Sequence, residues 1–104
     1  MGYNLAVRLT ASEIEAIRAG VRTVFGEFAR VRVFGSRIDD ALKGGDLDLF
    51  VEVAPGQASI AAEQRLRDEI APALADLRID IALHERGSPL TPFERIALRD
   101  GVAL

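Results

Sequence analysis

Asp46-Leu47-Asp48-Leu49-Phe50-Val51-Glu52-Val53 alternates between two kinds of side chain over eight positions. Successive residues of a strand point to opposite faces. Leu47, Leu49, Val51 and Val53 therefore share one face, and Asp46, Asp48, Phe50 and Glu52 share the other. This pattern predicts a strand with one face on a core and the other face largely polar. Gly44-Gly45 breaks the chain before it, and Pro55-Gly56 ends it.

On the N-terminal side, Val31 and Val33 alternate with Arg32, and Phe34 leads into Gly35-Ser36, which predicts a short strand entering a turn. Ile38 to Lys43 reads as a helical turn. Further upstream, Thr10-Ala11-Ser12-Glu13 has the capping-box pattern. Ile14, Ile17, Val21, Val24 and Phe28 follow at helical spacing, and Gly26 marks the end of that helix.

On the C-terminal side, Ser59 to about Leu74 reads as a helix that buries Ile60, Leu66, Ile70 and Leu74, with Pro72 splitting it near its end. Leu77, Ile79, Ile81 and Leu83 then alternate with Arg78, Asp80, Ala82 and His84 as a third strand. After Gly87-Ser88-Pro89, Thr91-Pro92-Phe93-Glu94 opens a last helix with a cap, a proline in the first turn and a second capping box. Gly101 ends it, and Val102-Ala103-Leu104 is an apolar tail. Four helices and three main strands in alternation predict an α/β layer, a small sheet covered by helices. The 104 residues suit one domain spanning 1–104.

Composition narrows the function. Apolar residues make up 49% and charged residues 28%, a globular balance. The absence of cysteine excludes disulfide scaffolds, thiolate catalysis and cysteine zinc sites. A single histidine, His84, excludes a multi-histidine metal site. The net charge of −3 gives no electrostatic case for duplex nucleic acid. No apolar run reaches the roughly 18 residues of a membrane span, and the N-terminus lacks the pattern of a signal peptide. The expected compartment is the cytoplasm.

The chemistry concentrates in aspartates. Asp46 and Asp48, at i and i+2, lie on one face about 6.5 Å apart along the strand. Two such carboxylates can converge on Mg²⁺, which takes oxygen ligands, or stand as a solvated polar face. Gly35-Ser36 after a strand allows phosphate to approach backbone N–H groups, and it is also an ordinary turn dipeptide. Arg37 supplies a cation that can pair with phosphate. Asp80 holds a polar position on the third strand; it can join the aspartate pair if the strands are neighbours, or pair with an arginine. Glu52 lies about 13 Å beyond Asp48 along the strand, too far to share its metal. The polar parity of His84 predicts a surface or hydrogen-bonded role. Phe50 is expected to pack under a helix or line a pocket, and Arg95 and Arg99 to form a solvated face.

Val33-Phe34-Gly35-Ser36-Arg37-Ile38-Asp39-Asp40, Lys43-Gly44-Gly45-Asp46-Leu47-Asp48-Leu49 and Leu77-Arg78-Ile79-Asp80-Ile81-Ala82 together resemble the minimal nucleotidyltransferases of the DNA polymerase beta superfamily. Phe93-Glu94-Arg95-Ile96-Ala97-Leu98-Arg99-Asp100-Gly101-Val102 resembles the end of a short subgroup. The likeness covers most of the chain after about Val31. Nine residues separate Ser36 from Asp46, one fewer than in many relatives, and Gly44-Gly45 resembles a variant of that loop.

The resemblance implies a small mixed sheet flanked by helices. It implies that Gly35, Ser36 and Arg37 bind a nucleoside triphosphate, and that Asp46, Asp48 and Asp80 form a catalytic triad holding two Mg²⁺ ions. It further implies ATP as substrate and transfer of AMP to a hydroxyl of a small helical partner. That partner is a HEPN-type ribonuclease toxin, for which the chain acts as antitoxin in a hetero-oligomer. A chain spent on the core alone leaves the acceptor to be docked by something else, and a partner protein is the simplest source. The competing expectation is a catalytically silent module that neutralises the helical partner by masking it. Transfer to a small molecule is disfavoured by the lack of an acceptor domain.

Overall fold

A computed structural model describes residues 3–4, 9–34, 46–74 and 77–104. Two strands of two residues open the chain, β1 (Tyr3–Asn4) and β2 (Leu9–Thr10), paired antiparallel. Helix α1 (Ala11–Phe25) follows, then strand β3 (Arg30–Phe34), strand β4 (Asp46–Val53) and helix α2 (Ile60–Ile70). A 3-10 turn (Ala71–Ala73) leads on to strand β5 (Arg78–Glu85), helix α3 (Pro92–Asp100) and strand β6 (Val102–Ala103). The expected helical turn from Ile38 to Lys43 lies outside the described residues.

The main sheet has the order β5-β4-β3-β6 and is mixed. β3 runs antiparallel to both β4 and β6, whereas β4 and β5 are parallel. Parallel neighbours need a crossover of a dozen or more residues, usually helical, and α2 supplies it. The apolar tail seen in the sequence is an edge strand: Val33 faces Val102, and the Leu104 N–H donates to the Val31 carbonyl at 3.1 Å.

Alternation along the strands decides the layers. Val31, Val33, Leu47, Leu49, Val51, Val53 and Ile79 are buried in one cluster with Ile17, Val21 and Phe25 of α1 and Leu66 and Ile70 of α2. Those helices cover that face. A Cβ on Gly20 of α1 would stand 2.6 Å from Cγ2 of Ile70, so a missing side chain sets how closely α1 and α2 approach. Helix α3 covers part of the opposite face, where Phe93 packs edge-on against Phe34 and Ala97 is buried. The result is a small mixed sheet with helices on both sides, as the alternation of strand and helix predicts.

Both capping boxes form. The Glu13 N–H donates to Thr10 Oγ1 at 3.1 Å and the Thr10 N–H to Glu13 Oε1 at 2.8 Å. Thr91 and Glu94 repeat the exchange at 3.1 and 2.9 Å. Gly26 ends α1 with φ of 92°, a left-handed conformation that favours glycine. Gly101 also ends its helix, but for another reason. Its φ is ordinary, and a Cβ there would meet the Ala97 carbonyl oxygen at 2.5 Å and Arg32 Cβ at 3.2 Å.

Two expected core residues are not in the core. Phe28 lies beyond the Gly26 stop and is 76% exposed. Ile60 begins α2 and is 89% exposed. At 3.6 residues per turn, the six residues from Ile60 to Leu66 rotate the two about 120° apart. Among the described residues no helix is long and apolar enough to cross a membrane.

Candidate functional site

Strand register sets what the polar face of the sheet can do. Phe34 of β3 stands opposite Asp48 of β4, and Asp48 stands beside Asp80 of β5. Neighbouring strands are about 4.8 Å apart, so Asp48 and Asp80 occupy adjacent positions of one row on one face. Asp48 is half-buried and Asp80 exposed. Asp46 starts β4 one step up the same face, and its register partner is Arg78. Three of the residues singled out in the sequence, Asp46, Asp48 and Asp80, therefore come to one end of the β4–β5 pair. Gly35, Ser36 and Arg37 lie outside the described residues. Phe34, which immediately precedes them, ends β3 on the Asp48 row.

Why these residues meet is legible only in part from local pattern. Alternation puts Asp46 and Asp48 on one face. The meeting with Asp80 depends on the parallel pairing after the α2 crossover, which local periodicity does not encode. Arg78 gains meaning the same way. In the sequence it is only a neighbour of Asp80, whereas register places its exposed side chain at the strand position beside Asp46.

The fit to a divalent cation rests on the donor set. Mg²⁺ takes carboxylate oxygens, and Asp48 and Asp80 supply carboxylates from adjacent strand positions. Among the described residues no group of three histidine, cysteine, aspartate or glutamate side chains is gathered to hold a metal ion. The Asp46 side chain falls outside that count. Asp48 and Asp80 are thus two of the three carboxylates the resemblance implies, held on one row.

The other end of the same face is closed. Phe50 is buried and stacks on His84, with ring centroids 6.0 Å apart and planes inclined by 23°. His84 is only 6% exposed, a correction to the surface role its parity suggested. The polar face here lies under the loop into α3, and the hydrogen-bonded role does hold. Nε2 lies 3.0 Å from the Ser88 carbonyl oxygen, which can only accept, so the proton sits on Nε2. Nδ1 is buried and has no hydrogen-bond partner among the described residues. Glu52, the register partner of His84, pairs with Arg86 at 3.6 Å, and Arg86 Nη2 donates to the Phe28 carbonyl at 2.6 Å. This end pins the chain on either side of the sheet and offers no open carboxylate cluster.

Helix α3 carries an exposed rim above the Phe34 end. Arg95 is exposed, as its helical spacing with Arg99 predicts. Arg99 pairs with Asp100 at 2.8 Å. The hydrogen bond and charge of the Arg99 guanidinium hold the Asp100 carboxyl below the usual carboxylate range. No family model matches the chain, and no curated protein matches it in sequence.

Proposed function

We propose that the chain is a Mg²⁺-dependent nucleotidyltransferase that transfers AMP from ATP to a hydroxyl of a partner protein, a small helical HEPN-type toxin that it thereby silences in the cytoplasm. The observation that carries this reading is the single row Phe34, Asp48, Asp80. It brings Phe34, the residue before Gly35 in the sequence, and two carboxylates to one end of the sheet, with Asp46 two residues before Asp48 on the same strand.

Asp46, Asp48 and Asp80 would hold Mg²⁺. Bound there, Mg²⁺ neutralises charge on the triphosphate and on the transferring phosphoryl group. Backbone N–H groups at Gly35 and Ser36, with the Ser36 hydroxyl, hold the β and γ phosphates, and Arg37 pairs with their charge. Arg78 adds a cation at the Asp46 position. The partner's hydroxyl oxygen bonds to the α-phosphorus as the bond from that phosphorus to the α–β bridging oxygen breaks. Pyrophosphate leaves, and the hydroxyl proton passes to solvent across the exposed face. Positioning and fixed charge supply most of the rate gain.

The test is transfer of label from α-labelled ATP in Mg²⁺ to the small helical protein encoded beside this chain. Wild type is expected to label the partner. Asp48→Asn is expected to retain the fold and lose at least about a hundredfold in rate, the scale of removing one preorganised charge contact. A tight complex with no label on any protein would replace this reading with the masking module.

A further inference from the structure

Phe93 is a large apolar side chain left open to solvent beside the carboxylate row. It is 57% exposed, and its ring meets that of Phe34 at a centroid distance of 5.5 Å and an angle of 70°. Phe34 faces the same way as Asp48 and stands across from it, on the side away from Asp80. This face thus gathers an exposed ring from α3, a half-buried ring from β3 and two carboxylates from β4 and β5. The exposed ring is therefore linked to the Asp48 position through one residue: Phe34 is the register partner of Asp48, and Phe93 meets Phe34.

The ring is also well fixed. Phe93 lies in the first turn of α3, directly after Pro92 and within the Thr91–Glu94 capping box. An edge-to-face pair engages one edge or face of each ring, so the exposed partner keeps a face for stacking.

We propose that Phe93 is the platform on which the nucleobase of the bound triphosphate stacks, with Phe34 as the wall that holds it upright. The inference rests on the nucleotidyltransferase reading above and adds the base-binding element. Every base has a π-face, so stacking is tolerant of base identity. The platform accordingly favours nucleotides over base-less triphosphate, and purines over pyrimidines through larger overlap, without separating adenine from guanine.

The chain has no tryptophan, so Phe93→Trp installs a single reporter. Its fluorescence is expected to be quenched by MgATP and left unchanged by Mg-tripolyphosphate. Phe93→Ala and Phe93→Leu are both expected to weaken MgATP about tenfold, the scale of one lost base–aromatic stack. Tripolyphosphate affinity is expected to hold in both. If wild type binds both probes and the two variants bind MgATP as tightly as it does, the platform is overturned and the nucleotide site survives. A Phe93→Leu variant that binds like wild type would overturn stacking in favour of plain apolar contact. Were wild type to bind neither probe, the nucleotide reading would fail, and the platform with it. Unchanged MgATP affinity with a weakened partner complex would give the ring to the partner's surface.

Discussion

The polar face of β4 and β5 has two ends built from the same alternation, and they do opposite things. At one end, Asp48 and Asp80 sit side by side with Asp80 exposed. At the other, Glu52 and His84 are also register partners, yet His84 is buried, stacked on Phe50 and hydrogen-bonded to Ser88, and Glu52 is paired with Arg86. Identical strand geometry thus gives one end where His84 and Glu52 are tied to Ser88 and Arg86 and another that gathers aspartates. What differs is exposure, His84 being buried and Asp80 exposed. At one end Glu52 pairs with Arg86, and at the other Arg78 stands at the register position beside Asp46. The Asp48 end places two carboxylates at neighbouring strand positions.

The contrast can be broken most forcefully at Phe50. Phe50→Ala removes a fully buried ring and is expected to cost about 3–5 kcal/mol of stability, read as a drop in the denaturant midpoint. A loss below about 1 kcal/mol would mean that the closed end is not a packed core. Next is Asp48→Asn, expected to cost at least about a hundredfold in AMP transfer, with little change in Tm because the substitution keeps the side chain's size at a half-buried position. A large fall in Tm would make Asp48 a structural residue like those at the closed end. Thr91→Ala removes the cap of the helix that carries Phe93 and should cost about 1 kcal/mol. Its thermal unfolding tests whether α3 is held from its first turn. A smaller effect belongs to the coupling between Arg86 and Glu52, read with Arg86→Ala. Their partly exposed pair is worth about 0–1 kcal/mol, so a double-mutant cycle with Glu52→Gln should give a coupling within that range.

Acid sensitivity gives a fifth, weaker check. The folded-state pKa of Asp100 is depressed by Arg99. Any contribution of that pair is therefore present above the unfolded-state value and lost as pH falls through the folded one. Both groups are exposed neighbours in sequence. Arg99→Ala should thus leave the acid limb of the stability curve within error of wild type, as chemical denaturation at several pH values would show.

Much of the fold is legible because its signals are local. The β4 alternation, both threonine–glutamate capping boxes, the Gly26 stop and the split at Pro72 each involve residues a few positions apart. Phe28 misleads because its helical spacing runs past the Gly26 stop. Ile60 misleads because six residues turn it away from Leu66. His84 looks exposed by parity, since alternation says which face a residue takes and not whether a loop will cover it. The same limit governs the site. Asp46 and Asp48 share a face by pattern alone. Asp80 joins them only through the parallel register of β4 and β5, which is set at long range by the α2 crossover between Val53 and Arg78.

The central claim is that the two ends of this face differ in kind, one able to hold cations and the other structural. Titration with Mn²⁺, a paramagnetic stand-in for Mg²⁺, followed by loss of amide NMR signals along β4 and β5, tests it directly. His84 lies about 13 Å along the strand from Asp80, far enough to separate the ends. The account predicts early broadening at Asp48 and Asp80, with Glu52 and His84 surviving, and loss of that pattern in Asp48→Asn. Broadening centred on Glu52 and His84, or uniform along both strands, would contradict it.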